Sequence, residues 1–171
     1  MMFIRIAIFI LTLVKFSNAD FMFDASAPNA APDAKETTLN TTLTTGSGGP
    51  YTYSQSGHHF YGAAYDGSYI DTYGCCSGQS GSCRNNPSCQ CQVSVGPLPQ
   101  GTYSLGNMMT FKGMPYCYEL YPASTNSMCG RSGFLIHGGS CSGNPSEGCI
   151  VIENESTRYK IKSGATLKVV G

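Results

Sequence analysis

The chain has 171 residues and a formal net charge of zero, with Lys and Arg scattered rather than clustered. Phosphate recognition needs a basic patch, so nucleic-acid binding is excluded as a reading. Charged residues are only 12% of the chain; Tyr, Ser, Thr, Gly and Asn carry the polarity, which suits an extracellular, loop-rich β domain better than a helical bundle. The length predicts one domain.

Residues 1–19 read as a signal peptide. Arg5 supplies a short positive region, residues 6–14 are apolar, and Ser17-Asn18-Ala19 offers small residues for cleavage. The apolar run is shorter than the roughly 20 residues that span a hydrocarbon core, so cleavage is expected rather than anchoring, with no membrane association afterwards. Residues 20–49 read as a linker, first rich in Ala and Pro, then in Thr, Ser and Gly. Such composition buries too little apolar surface to offset its ordering entropy. Asn40-Thr41-Thr42 is a glycosylation sequon, and Asn154-Glu155-Ser156 is a second.

From residue 50 to 171 the pattern is one of short strands and turns. Strands are expected at 51–54, 59–61 and 68–70, the last following a hairpin turn at Asp66-Gly67. Residues 90–95 alternate and predict another. Further strands are expected at 102–105, 116–121, 133–137, 149–152 and 166–170, and no long segment has helical period. The class is mainly β, a small sandwich or barrel-like sheet stack.

Nine cysteines are present. In an oxidising compartment eight can form four bridges, and the ninth is left as an intermolecular linker or a reactive thiol. The dense group Cys75, Cys76, Cys83, Cys89 and Cys91 reads as disulfide-bonded rather than zinc-binding, because a C-x2-C pair is absent. Cys117 and Cys129 are a plausible hairpin bridge. No other pairing is assigned.

Chemistry concentrates between residues 133 and 152. His137 ends an apolar strand, and Cys149 follows Gly148 and opens the next one. Two adjacent strands joined by the loop between them would bring imidazole and thiol to one sheet edge. Only a thiolate attacks carbonyls, and a neighbouring imidazole can take the thiol proton. Gly148 lets the backbone bend so that the Cys149 amide faces a developing oxyanion. Ser146 would hold the loop or contact substrate, and carbonyls near Gly138 and Gly139 would fix the imidazole tautomer. His58 and His59 read as exposed or structural. Papain-like and caspase-like orders of Cys and His do not fit.

The His137-Gly138 … Ser146-Glu147-Gly148-Cys149 signature resembles L,D-transpeptidases of the YkuD-like superfamily, and more closely the short L,D-transpeptidase-like effectors of type VI secretion. Matching fragments run from Tyr53-Ser54-Gln55-Ser56-Gly57 through Tyr73-Gly74, Asn85-Asn86-Pro87, the segment 96–103, and the segment 130–138. The resemblance covers residues 51–170. It implies a small, disulfide-stabilised β-sandwich with Cys149 as nucleophile and His137 as base. It also implies bacterial peptidoglycan stem peptides as partners, and a reaction needing no cofactor or metal. Cys149 would attack the carbonyl of the third residue of a stem tetrapeptide and release D-Ala, with water or an amine completing hydrolysis or exchange. Arg131 matches a family residue that is either a carboxylate clamp or a structural ion-pair partner, and Ser140 is a candidate substrate contact. Glu147 stands where many L,D-transpeptidases have a second His. Cys141 is a candidate to bridge Cys149 and silence it. The signal peptide, cysteines and sequons point to a eukaryotic secretory route and an antibacterial use. Two other readings remain open: a catalytically inactive, disulfide-rich module that recognises cell-wall fragments, and a general secreted cysteine amidase.

Overall fold

The computed structural model describes residues 48–171. The expected signal peptide, most of the linker, and the sequon at Asn40 lie outside them.

Period-two burial writes the first strands. In β1 (Tyr51–Ser54), Tyr51 and Tyr53 point inward and Thr52 and Ser54 are half-buried. β2 (His59–Ala63) buries Phe60, and β3 (Tyr69–Tyr73) buries Ile70. The turn between β2 and β3 is the one expected: Gly67 has φ +82°, and Ser68 donates its amide to Asp66 Oδ1 at 2.9 Å. The remaining strands are β4 (Cys76–Ser77), β5 (Gly101–Phe111), β6 (Met114–Pro122), β7 (Leu135–His137), β8 (Ile150–Val151) and β9 (Thr166–Val170).

All nine form one sheet in the order β3-β2-β1-β9-β5-β6-β7-β8-β4. Its pairs are antiparallel except β1 with β9 and β7 with β8. The sheet curls into a half-barrel around a core that includes Tyr51, Phe60, Tyr103, Tyr118, Ile136 and Leu167. The mainly β, disulfide-stabilised class expected from the sequence is what is found, with the layers made by one sheet curling on itself.

Two buried side chains tie distant parts of this core together by hydrogen bonds. Asn85 Oδ1 accepts from the Tyr53 hydroxyl at 2.6 Å and the Ser77 amide at 2.7 Å, and its Nδ2 donates to the Cys75 carbonyl at 2.9 Å. The Tyr118 hydroxyl lies 2.9 Å from the carbonyls of Arg158 and Ile161.

Several local expectations are corrected. Residues 90–95 are turns, not a strand. The Gln92 amide bonds back to the Cys89 carbonyl, Gly96 bonds back to Gln92, and Ser94 has φ +57°. Val93, which alternation would have buried, is 68% exposed. Bridges Cys83–Cys89 and Cys91–Cys129 pin this stretch and override its alternation. The second of these also displaces the expected Cys117–Cys129 bridge: Cys117 is a fully buried free thiol on β6. There are three disulfides among the described residues rather than four, the third being Cys76–Cys141, and Cys75, Cys117 and Cys149 are free. One short helix was not expected, α1 (Glu155–Tyr159), capped by Asn154 Oδ1 accepting from the Thr157 amide at 3.2 Å. Its cap and first turn are the residues of the second sequon.

Cys76–Cys141 closes a loop of 65 residues and ties the edge strand β4 to the segment leading into β8. Replacing both cysteines with Ala should lower stability by about 4 kcal/mol on the chain-entropy model. Denaturant unfolding without reductant measures this, and a loss under about 1 kcal/mol would show that packing alone holds β4 in place.

Candidate active site

β7 and β8 are parallel, with Ile136 level with Ile150 and His137 level with Val151. Ile136 and Ile150 both enter the core. Alternation then sends Leu135 and His137 to the opposite face. Continuing the register by one residue sets Cys149 beside Leu135, and the Leu135 amide donates to Cys149 Sγ at 3.4 Å. Imidazole and thiol therefore share one sheet face, two residues apart along neighbouring strands, as diagonal neighbours within reach of a long side chain.

His137 is 9% exposed. Its Nδ1 lies 2.5 Å from the Gly138 carbonyl. A carbonyl only accepts, so Nδ1 carries the proton and Nε2 keeps its lone pair. Burial pushes the imidazole below its ordinary value; the Gly138 bond opposes this, and Arg158 and Lys112 add to it. Burial likewise pushes the Cys149 thiol up, against the opposing Leu135 amide and Arg131. The resting pair is therefore neutral imidazole and neutral thiol.

Glycines on both sides admit two buried guanidinium groups. A Cβ on Gly148, whose φ is +122°, would overlap Arg131 Nη2 and lie 2.6 Å from Phe134 Cε1. A Cβ on Gly138 would lie 2.7 Å from Arg158 Nη2. Arg131 donates to the carbonyls of Gln90 (2.5 Å), Pro97 (2.6 Å), Gly96 (2.9 Å) and Glu147 (2.8 Å), and stacks 5.0 Å from the Phe134 ring centroid. It is thus neither half of an ion pair nor a free carboxylate clamp; it fastens the 90–97 turns to the residue two before Cys149. Arg158 donates to the carbonyls of Ile152 (2.6 Å) and Glu153 (3.0 Å). Neither arginine has a carboxylate partner among the described residues, and carbonyl dipoles balance both charges.

Ser146 latches the loop. Its hydroxyl donates to the Cys149 carbonyl at 2.8 Å and accepts from the amides of Gly78 (3.2 Å) and Gly148 (3.4 Å). Ser77 donates to the Gly148 carbonyl at 2.9 Å, a support with no signal in the local sequence pattern. Ser140 is exposed, donates to Glu153 Oε1 at 3.3 Å, and lines neither cavity at the thiol. Cys141 is bridged to Cys76, so it does not engage Cys149. His59 meets Asp71 at 2.5 Å and stacks on Tyr61 and Tyr73 in the β2–β3 hairpin, outside the site.

Cys149 stands where two cavities meet. One, about 270 Å³, runs past Val93, Ser94, Arg131 and Phe134. The other, about 400 Å³, holds His137 and is walled by Phe111, Lys112 and Met114 from the β5–β6 hairpin. Gly133, Glu147 and Cys149 border both. The other free thiols differ. Cys117 is fully buried, and Cys75, 2% exposed, is pushed by burial up to about 12. The hairpin wall was the part of the site missed from sequence, because the turn Lys112-Gly113 lies in chain order well before the His-Cys segment that it approaches.

A family model, the Tlde1 domain, matches residues 71–170. The chain belongs to the Tlde1 domain family. These are type VI secretion effectors, L,D-transpeptidase-like and directed at peptidoglycan. The match bears on the short effectors of the sequence resemblance rather than on the YkuD-like superfamily as a whole. The Tlde1 span includes His137 and Cys149 but begins within β3, so β1 and β2 lie before it. No curated protein matches the chain at a significant level.

The packing at Gly148 predicts that Gly148→Ala destabilises the domain by about 2 kcal/mol or more, since both overpacking and a left-handed backbone are imposed together; thermal unfolding measures it. The lowered imidazole and raised thiol predict a flat rate profile through neutral pH. Reactivity should fall on the acid side only below the ordinary imidazole range, as His137 becomes protonated and loses its lone pair. Alkylation of Cys149 by iodoacetamide across pH, compared with His137→Ala, checks this, and an acid limb at or above the ordinary imidazole value contradicts it.

Proposed function

We propose that this Tlde1 protein is a cysteine-nucleophile L,D-carboxypeptidase or L,D-transpeptidase that removes or exchanges the terminal D-Ala of peptidoglycan stem tetrapeptides. The observation that carries the reading is an unbridged Cys149 thiol on the same sheet face as His137, opening into the same cavity. Membership of the Tlde1 family supports the substrate class.

In the proposed mechanism His137 Nε2 takes the Cys149 proton as Sγ attacks the carbonyl of the third stem residue. The amide of Cys149, set by the bend at Gly148, stabilises the oxyanion. A donor of this kind is typically worth about 3 kcal/mol of barrier. The C–N bond to D-Ala breaks as the imidazolium returns the proton to the leaving amine, leaving a thioester. Water then gives the tripeptide, or an amine gives the exchanged product, and His137 again moves the proton. Arg131 and Arg158 stabilise the thiolate and oxyanion by their field while their hydrogen bonds hold the loop. Kinship with the wider YkuD-like superfamily, a cleaved signal peptide, the 20–49 linker, secretion and antibacterial action belong to the same proposal. Three disulfides support work in an oxidising compartment.

The test incubates the oxidised protein with disaccharide-tetrapeptide and reads products by mass spectrometry. Loss of terminal D-Ala, or its exchange for an added D-amino acid, is expected with the native chain. Cys149→Ala should abolish the reaction, and His137→Ala should slow it by about 10²–10⁴-fold. An unchanged substrate with a folded, thiol-bearing protein would favour the inactive binding module.

A further inference from the structure

Resting on that reading, we propose that the His137 cavity receives the departing D-amino acid, with the Lys112 ammonium holding its α-carboxylate, while the Arg131-side cavity receives the acyl half of the stem peptide. The acid that protonates the leaving amine must face it. His137 borders the 400 Å³ cavity and not the 270 Å³ one. The amine therefore leaves on the His137 side, and the carboxylate of an α-amino acid is attached one carbon from that nitrogen.

A carboxylate in a partly enclosed site needs a cation. Lys112 is the one Lys or Arg among the described residues that line this cavity. Glu147, at the junction, has the wrong sign. Arg131 is engaged by four carbonyls, and Arg158 lies behind Gly138. The Lys112 ammonium sits 5.2 Å from the ring centroid of Phe111, which lines the same cavity, and its charge is felt at His137.

The hairpin carries this side chain past the pairing of β5 and β6 with their other neighbours in the sheet. β5 pairs with β9 only over residues 101–104, and β6 pairs with β7 only at Tyr118 and Glu119. Beyond those contacts the β5–β6 hairpin runs on to its tip, where Phe111 faces Met114 across a two-residue turn. Lys112 and Gly113 have φ of +48° and +79°, the left-handed pair of a type I′ turn. Asn is favoured over Lys at the first of these positions, so Lys112 occupies a place where local preference argues against it. That preference supplies a clean variant: Lys112→Asn removes the charge while suiting the turn.

The experiment compares kcat/KM on a stem tetrapeptide ending in D-Ala with the same peptide ending in D-alaninamide. The native protein should prefer the free carboxylate by about tenfold or more, as expected for a charge-assisted hydrogen bond. Lys112→Asn should bring the ratio near one, chiefly through KM, and Lys112→Arg should restore most of it. An unchanged ratio in Lys112→Asn overturns the assignment. Titration of Cys149→Ala, with and without Lys112→Asn, against both peptides by calorimetry decides the point without turnover. Failure of the native protein to process either peptide would remove the enzymatic reading, while equal affinities of the two Cys149→Ala proteins for the carboxylate peptide would remove the role of Lys112.

Discussion

The site depends on the parallel pairing of β7 and β8. Parallel neighbours cannot be joined by a tight turn, and their crossover commonly carries a helix. Here residues 138–149 make the crossing as irregular chain. Other contacts must hold what a helix would have held. Cys76–Cys141 anchors one end, the Ser146 hydroxyl and the Ser77 hydroxyl hold the other, and Arg131 grips the Glu147 carbonyl. The pairing fixes the backbones of Leu135 and Cys149 side by side, and alternation alone then puts His137 on the thiol's face.

Electrostatics follow from that placement. Two arginines lie on either side of the pair, both satisfied by main-chain carbonyls rather than carboxylates. Their charges are therefore not cancelled by a fixed counter-ion. The same burial that raises the thiol and lowers the imidazole keeps the resting pair neutral. Such a site favours charge that appears during reaction over charge stored beforehand, which suits acyl transfer through an oxyanion. Gly138 and Gly148 are the steric condition for this arrangement, because a methyl group at either meets a guanidinium.

Legibility in the sequence varied with how local the controlling interaction was. β1, β2, β3 and β9 were readable because their alternation agrees with their burial, and the Asp66-Gly67 turn because its chemistry is contained in a few residues. Residues 90–95 alternate just as well, yet fold as turns, because two disulfides and the Arg131 bonds to Gln90, Gly96 and Pro97 act there. The helix α1 was hidden because Asn154 serves as a cap within a motif that also spells a sequon. Cys117 was matched with Cys129 on chain proximity, whereas the β6 strand turns its thiol into the protein.

The amino-acid sequence by itself determined the mainly β class, the family, and the nomination of His137 and Cys149 with Gly148 between strand and loop, since each is written in short-range pattern. Tertiary structure decided which cysteines stay free, what Arg131 binds, and that the Lys112 hairpin walls the His137 cavity. Those outcomes depend on contacts between segments tens of residues apart, and their geometry is set only when the sheet curls and brings its ends and loops together.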